Sequence, residues 1–413
     1  MKKLLILTTA FALTLNLCGC IAVIDQGETL PHPPKETTAP VETRSPDTTA
    51  PEETTAPQET AGATFNLPSA AISLPSTSEY RYAEDGTYLF SYTYQNPILY
   101  LEDTAVSQAV VLDLLNQIDS SAQQADRIAT QAAADYAKEP DAFSAYFADV
   151  NYRVKRLDPS ILSLEGSHVT YAGGIHPDHI SKSVTYDLLT GRRLALQDIL
   201  TETYSVDTLC TLTLDALAPM SQELYSDYSV IVKELFNGSW LDLEEWYLSD
   251  NGLCLYFAPY DIAPYATGTV TAEIPYEKLI GTLQDAYFPP EDIPSQGQIH
   301  AELFTPTAAE GFNRFHEVIL EPEGEKILLH TDGTVSDVII RQGTWNEDGI
   351  YFYSDATVFA ANLMNSDDAI FLQTYIPDTM PNLQLQYIRA GQQVTVYISQ
   401  SGEDGSILLL EGA

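Results

Sequence analysis

Read from Tyr88 onward, the chain alternates apolar and polar side chains through Tyr88-Leu-Phe-Ser-Tyr-Thr-Tyr94 and then runs apolar from Ile98 to Leu101. Asp85-Gly86 precedes the first stretch and Asn96-Pro97 separates the two, so both are predicted as strands joined by a turn. The period then changes from two to nearly four. Val111, Leu115, Ile118, Ala122, Ala125, Ala129, Ala133 and Tyr136 recur at helical spacing, with Asp103 or Thr104 placed to cap the start and Pro140 to end the run. Strand patterns resume at Val150–Leu157, Ile161–Tyr171 and Ser181–Leu188, the last turning at Thr190-Gly191 into Arg192–Leu196. Helical patterns follow at Val206–Leu217 and Ser229–Phe236, strands at Gly252–Phe257 and Gly268–Ile274, and a short helix at Tyr276–Leu283. Strands and helices mix without strict alternation, which predicts an α+β unit, a mixed antiparallel sheet with one long helix.

The joint Pro289-Pro290-Glu-Asp-Ile-Pro294-Ser-Gln-Gly297 marks a boundary. Beyond it the pattern is nearly all strand: Val318–Leu320, Lys326–His330, Val335–Arg341, Ile350–Ser354, Ala369–Tyr375, Leu383–Ile388 and Val394–Ser399. Asp332-Gly333, Asp348-Gly349 and Ala390-Gly391 supply turns at the spacing of a small sandwich or barrel. The expected organisation is therefore a leader at 1–20, a stalk at 21–75, an α+β domain at 76–290 and a smaller all-β domain at 298–413.

The first 75 residues contain neither pattern. Lys2 and Lys3 precede an almost uncharged apolar run, Leu4–Leu17, that stops at Leu17-Cys18-Gly19-Cys20. Leu three before and a small residue one before a Cys are similar to the lipobox of bacterial lipoproteins, which implies cleavage there and a diacylglyceryl thioether on Cys20. An ordinary secretory signal cut elsewhere is the alternative. Several acyl chains hold a protein firmly on a bilayer, so the expected location is the extracytoplasmic face of a bacterial membrane, Gram-positive by preference. From Ile21 to Pro75 the units ETTAP, DTTAP and ETTAP recur at Glu36–Pro40, Asp47–Pro51 and Glu53–Pro57. Proline at this density without apolar periodicity predicts a solvated, extended spacer.

Composition narrows the partners. The 413 residues hold 58 Asp plus Glu against 19 Lys plus Arg, a formal charge of -39. No basic block exists to track a phosphate backbone, which argues against nucleic acid. A field of this sign repels anionic polymers and attracts basic proteins.

Two ordered blocks carry a family resemblance. Tyr171-Ala-Gly-Gly-Ile-His-Pro177 is followed by Val184–Leu194 and by Gln197-Asp-Ile-Leu200; later come Leu255-Tyr-Phe257, Pro259-Tyr260, Ile262-Ala-Pro-Tyr265, Gly268 and Ile274-Pro-Tyr276. From about Glu79 to Leu283 the chain resembles the domain of unknown function shared by RsiV-type anti-sigma factors and PdaC-type peptidoglycan deacetylases. In the deacetylases this domain accompanies a catalytic domain whose metal-binding motifs are not found in this sequence. In the anti-sigma factors it is the extracellular sensor, known to bind lysozyme and joined through a membrane helix to a cytosolic sigma-binding segment. Only Met1–Lys3 precede the apolar run, so no room for such a segment is expected. The resemblance implies a non-catalytic binding domain for a cell-envelope ligand: lysozyme, another basic protein, or a peptidoglycan-related molecule. Gly173, Gly174, His176, Asp178, His179, Tyr260 and Tyr265 are its candidate contact residues.

The same residues admit other functions. His176 and His179, three apart with Asp178 between, could offer nitrogens to zinc or act as a general base in an envelope hydrolase, but no third ligand stands out. The paired glycines equally suit a tight backbone bend. No nucleophile elbow, P-loop or dinucleotide fingerprint appears, so no catalytic residue, metal or cofactor is assigned. A structural or accessory lipoprotein is a third reading. Trp240 and Trp246 flank Glu244 and Glu245 as weak binding candidates. Cys210 and Cys254 are either a disulfide, which an extracytoplasmic setting permits, or two buried thiols.

Overall fold

The computed structural model describes residues 69–238, 245–290, 293–346, 351–377 and 380–411. The leader, Cys20 and the repeats of the stalk lie outside these residues, as do Trp240 and Glu244. The stalk was expected to reach 75, but Ala71–Ser73 form the first strand, β1, and are fully buried. The run Ala70-Ala-Ile-Ser-Leu74 is apolar enough to enter a core despite the prolines on either side of it.

After β1 come β2 (Ser76–Tyr82), β3 (Tyr88–Gln95) and β4 (Ile98–Tyr100), and then helix α1 (Thr104–Lys138). The Asp103 carboxylate caps α1 by accepting from the Ala105 and Val106 amides. The buried stripe of α1 is Val106, Val110, Leu114, Ile118, Ala125, Ile128 and Ala132, so the predicted register is one residue off at its start, where Leu115 is exposed. Adjacent apolar pairs at 110–111 and 114–115 offer two stripes, and only one can face the sheet. That sheet has six strands in the order β2-β3-β5-β6-β7-β8, adding β5 (Tyr146–Leu157), β6 (Ile161–Tyr171), β7 (Asp178–Asp187) and β8 (Arg192–Leu194). All neighbours are antiparallel except β3 and β5, which α1 connects as a crossover. Alternate residues of β5, from Tyr146 to Val154, pack under α1 and build the first core.

A second core forms where α2 (Leu196–Ile199), α3 (Val206–Leu217) and α4 (Tyr228–Asn237) cover an antiparallel sheet of β9 (Trp246–Leu248), β10 (Gly252–Phe257) and β11 (Val270–Pro275). The helix expected at Tyr276–Leu283 is a single 3-10 turn, Tyr276–Lys278.

The C-terminal strands are β12 (Ile299–Leu303), β13 (Arg314–Ile319), β14 (Glu325–Thr331), β15 (Val335–Trp345), β16 (Phe352–Met364), β17 (Asp368–Thr374), β18 (Leu383–Arg389), β19 (Gln392–Gln400) and β20 (Ile407–Glu411). A four-stranded sheet, β12-β14-β17-β13, faces a seven-stranded one, β20-β19-β18-β15-β16-β1-β4, across the third core. The molecule is thus α+β with a sandwich-like β part. The second sheet recruits β1 and β4 from upstream of the Pro-rich joint, and Leu67–Ala413 form one compact unit. The joint therefore separates two sequence patterns that share a sheet. Gln95 ties them further: its amide donates to Leu74 O (3.1 Å) and Thr357 O (2.8 Å) and accepts from the Tyr152 amide (2.6 Å). No helix among the described residues is long and apolar enough to cross a membrane.

Candidate functional site

The long β6–β7 hairpin projects its connection, Ala172–Pro177, into solvent, where Ile175 is wholly exposed. Gly173 and Gly174 take φ of 83° and 137°, conformations that side chains disfavour. A Cβ on Gly173 would also meet the Tyr146 hydroxyl, which would have to move aside, while the positive φ is what calls for glycine. The bend delivers His176 onto Tyr265, with ring centroids 4.5 Å apart and planes 27° apart. The Tyr265 hydroxyl donates to Pro177 O (3.2 Å), and the Tyr260 ring lies 5.6 Å from that of Tyr265. The two blocks of the sequence resemblance, some 80 residues apart, meet here.

The loop that presents Tyr260 is closed internally. Tyr260 N donates to Ala263 O (3.1 Å), and the Asp261 carboxylate accepts from Ala258 N (2.7 Å). Burial pushes the Asp261 carboxyl up from its ordinary range, against the lowering effect of that amide. Tyr260 itself has φ of 77° while its side chain is 63% exposed. A non-glycine residue held in the left-handed region costs on the order of 1 kcal/mol or more and persists where the surroundings impose it.

Next to its tip the hairpin shares a concavity of about 460 Å³ with the C-terminal end of α1, lined among others by Asp135, Lys138, Phe143, Tyr146, Tyr171 and Gly173. Tyr146 packs edge-on to Tyr171 at 5.7 Å and against Phe143 at 5.4 Å, and donates to the Asp135 carboxylate (3.1 Å). Lys138, then Tyr146, hold Asp135 below the usual carboxylate range. Lys138 pairs with Asp135 (2.9 Å), so this wall presents aromatic faces beside a compensated ion pair, with Glu139 also in the lining.

His179 does not join His176. It stands on β7 and lines a separate cleft with Arg153, Lys155, Glu165 and Tyr247, while Asp178 is exposed at the start of that strand. Among the described residues no group of three His, Cys, Asp or Glu is placed to hold a metal ion. Cys210 and Cys254 are free, buried thiols, not a disulfide. Alternation along β10 explains this: Leu253 and Leu255 face the helices and Cys210, whereas Cys254 points to the other face with Tyr247 and Tyr256. Burial pushes the Cys254 thiol up to about 12. Trp246 is core, 5% exposed, and is no longer a candidate contact. Asp135, Phe143 and Tyr146, together with Arg153 and Lys155, escaped the sequence reading. Arg153 and Lys155 lie two apart in the strand pattern Val150–Leu157 and so share a face, but nothing local to that strand indicates what lies opposite.

Residues 198–277 match the family described as a protein of unknown function, DUF3298. They include the second block of the resemblance and only the Asp198-Ile-Leu200 end of the first. Two solved structures of that family are similar to this chain. One from Bacteroides fragilis is 19% identical, with 52% of this chain and 94% of its own covered and a TM-score of 0.39. The other, from Pseudomonas aeruginosa, is 16% identical, with 55% and 98% covered and a TM-score of 0.38. No curated protein matches the chain.

Proposed function

We propose that this chain is a lipid-anchored extracytoplasmic binding protein of RsiV/PdaC-like type whose contact surface is the hairpin tip with its Tyr260–Tyr265 flank. The observation that carries the reading is the convergence of His176, Tyr265 and Tyr260 beside a fully exposed Ile175. Ile175 and Tyr260 are held out in water, Tyr260 on a backbone with φ of 77°. Such exposed clusters mark recognition surfaces, where aromatic anchors dominate the binding energy. The partner that fits is a basic envelope protein, with lysozyme the instance implied by the sequence resemblance. A chain of formal charge -39 steers a cationic partner by long-range attraction.

The test is binding of the intact chain to immobilised lysozyme and to purified peptidoglycan at low and high salt. Retention on lysozyme is expected, weakening as salt rises, and Ile175→Asp and Tyr260→Gly should each weaken it about ten-fold or more. Tyr260→Gly should leave the melting temperature unchanged or raise it, because glycine relieves the φ of 77°. Unaltered binding by both variants would exclude the tip, and no retention on either material would exclude the ligand classes.

A further inference from the structure

Negative charge is missing from one stretch of an otherwise acidic chain. Residues 383–400, the β18–β19 hairpin, hold no Asp or Glu and five Gln, although the whole chain has 58 Asp plus Glu. The one formal charge there is Arg389, which donates to Gln298 Oε1 (3.2 Å). Alternation sorts the two faces of the hairpin. Leu383, Leu385, Tyr387, Val396 and Ile398 belong to the third core, so Gln384, Gln386, Thr395, Tyr397 and Ser399 turn to the opposite face. Gln384 stands directly across from Tyr397 and Gln386 from Thr395, and the two amides donate to the Tyr397 (3.1 Å) and Thr395 (3.3 Å) hydroxyls. On β20, Leu408 and Leu410 continue this face and are exposed. At its other margin Arg341 of β15 donates to Gln386 Oε1.

Beside the amides three rings meet: Trp345 at the end of β15, Phe352 at the start of β16, and Tyr397, with centroids 4.8 to 5.5 Å apart. Trp345 is half-buried, and its indole N–H donates to Pro381 O (2.7 Å), which fixes the ring. Phe352 lies against Gly343, where a Cβ would come within 2.8 Å of its ring. An aromatic platform thus adjoins a row of amides and hydroxyls, groups that both donate and accept. A polyanion is repelled by the formal charge of -39, and a polycation finds no carboxylate on the hairpin. A neutral polyhydroxyl chain meets neither obstacle: its C–H faces pack on rings and its hydroxyls exchange hydrogen bonds with amides. β15, β18, β19 and β20 are successive neighbours in the sheet, so the face spans about 14 Å across the strands. We infer that this face binds a neutral oligosaccharide, stacked on Trp345 and Tyr397 and hydrogen-bonded by Gln384. The site is independent of the hairpin tip.

The experiment titrates the intact chain with cellohexaose, chitohexaose and hexagalacturonate by calorimetry, at low and high salt. At least one of the two neutral hexasaccharides is expected to bind, with an affinity that salt leaves unchanged because no ion pair is made. Hexagalacturonate, a sugar chain bearing carboxylates, should bind at least about ten-fold more weakly. Tyr397→Ala should weaken binding about ten-fold and Gln384→Ala about five-fold. Gln384→Ala trims a side chain on the outer face of the strand and carries the test if Tyr397→Ala fails to fold. Ile175→Asp should leave the titrations unchanged, which keeps this site distinct from the tip. Binding of neither neutral hexasaccharide, binding that the folded variants retain in full, equal affinity for hexagalacturonate, or loss in Ile175→Asp would overturn the proposal. Sedimentation showing a dimer that Tyr397→Ala or Gln384→Ala dissociates would also overturn it, because a second copy of the chain would then occupy the face.

Discussion

At the scale of single residues, the clearest consequence of burial is acid sensitivity. His316 is 7% exposed, with Tyr100 edge-on at 4.8 Å and Phe359 at 5.5 Å. Burial first, and Arg314 second, lower its pKa from 6.5 to about 4. In the unfolded chain it protonates near 6.5, so between pH 6.5 and 4 the unfolded state binds more protons. Stability from this residue is complete above 6.5 and is lost as pH falls through that window. At pH 5 the loss is about 2 kcal/mol relative to pH 7. Urea denaturation at the two pH values should therefore show His316→Phe losing about 2 kcal/mol less than the unmodified chain. His168, also lowered to about 4 by burial, keeps part of the slope in both proteins. An equal loss in the two would refute the assignment.

Elements are held together at a few polar junctions, and Gln95 is the most economical of them. Fully buried, it meets the end of β1, strand β5 and strand β16 with both ends of its amide satisfied. Gln95→Leu keeps the volume but leaves Leu74 O, Thr357 O and Tyr152 N short of a partner, so a cost of about 3 kcal/mol or more is expected in chemical denaturation. A cost under about 1 kcal/mol would show that water or other groups replace it. Such junctions also mark the limit of what the sequence makes legible. The helix at Val206–Leu217 is read to the residue because one buried face imposes a clean period, and the strand at Ile161–Tyr171 is read to the residue although its first four residues are buried on both faces. Strand β16 is read only at its start, since Ala356–Met364 is apolar on both faces and shows no alternation. β1 is hidden in a proline-rich stretch, and its partners β16 and β4 lie far along the chain or on its other side. At the tip, Gly173 and Gly174 announce a bend, but neither the φ of Tyr260 nor the stacking of His176 on Tyr265 follows from any local pattern.

For the whole molecule, three cores in one compact unit carry two unlike recesses and an exposed aromatic tip. The tip sets exposed apolar anchors beside an aromatic wall that holds the Asp135–Lys138 pair. The exposed tip is the basis for the proposal that the chain is a binding protein with a macromolecular contact surface. The most direct test of that surface is amide hydrogen exchange on the intact chain with and without lysozyme. Slower exchange is predicted at 171–178 and 258–265 together, with the β12–β20 strands unchanged. Protection confined to other segments, or none at saturating lysozyme, would contradict it.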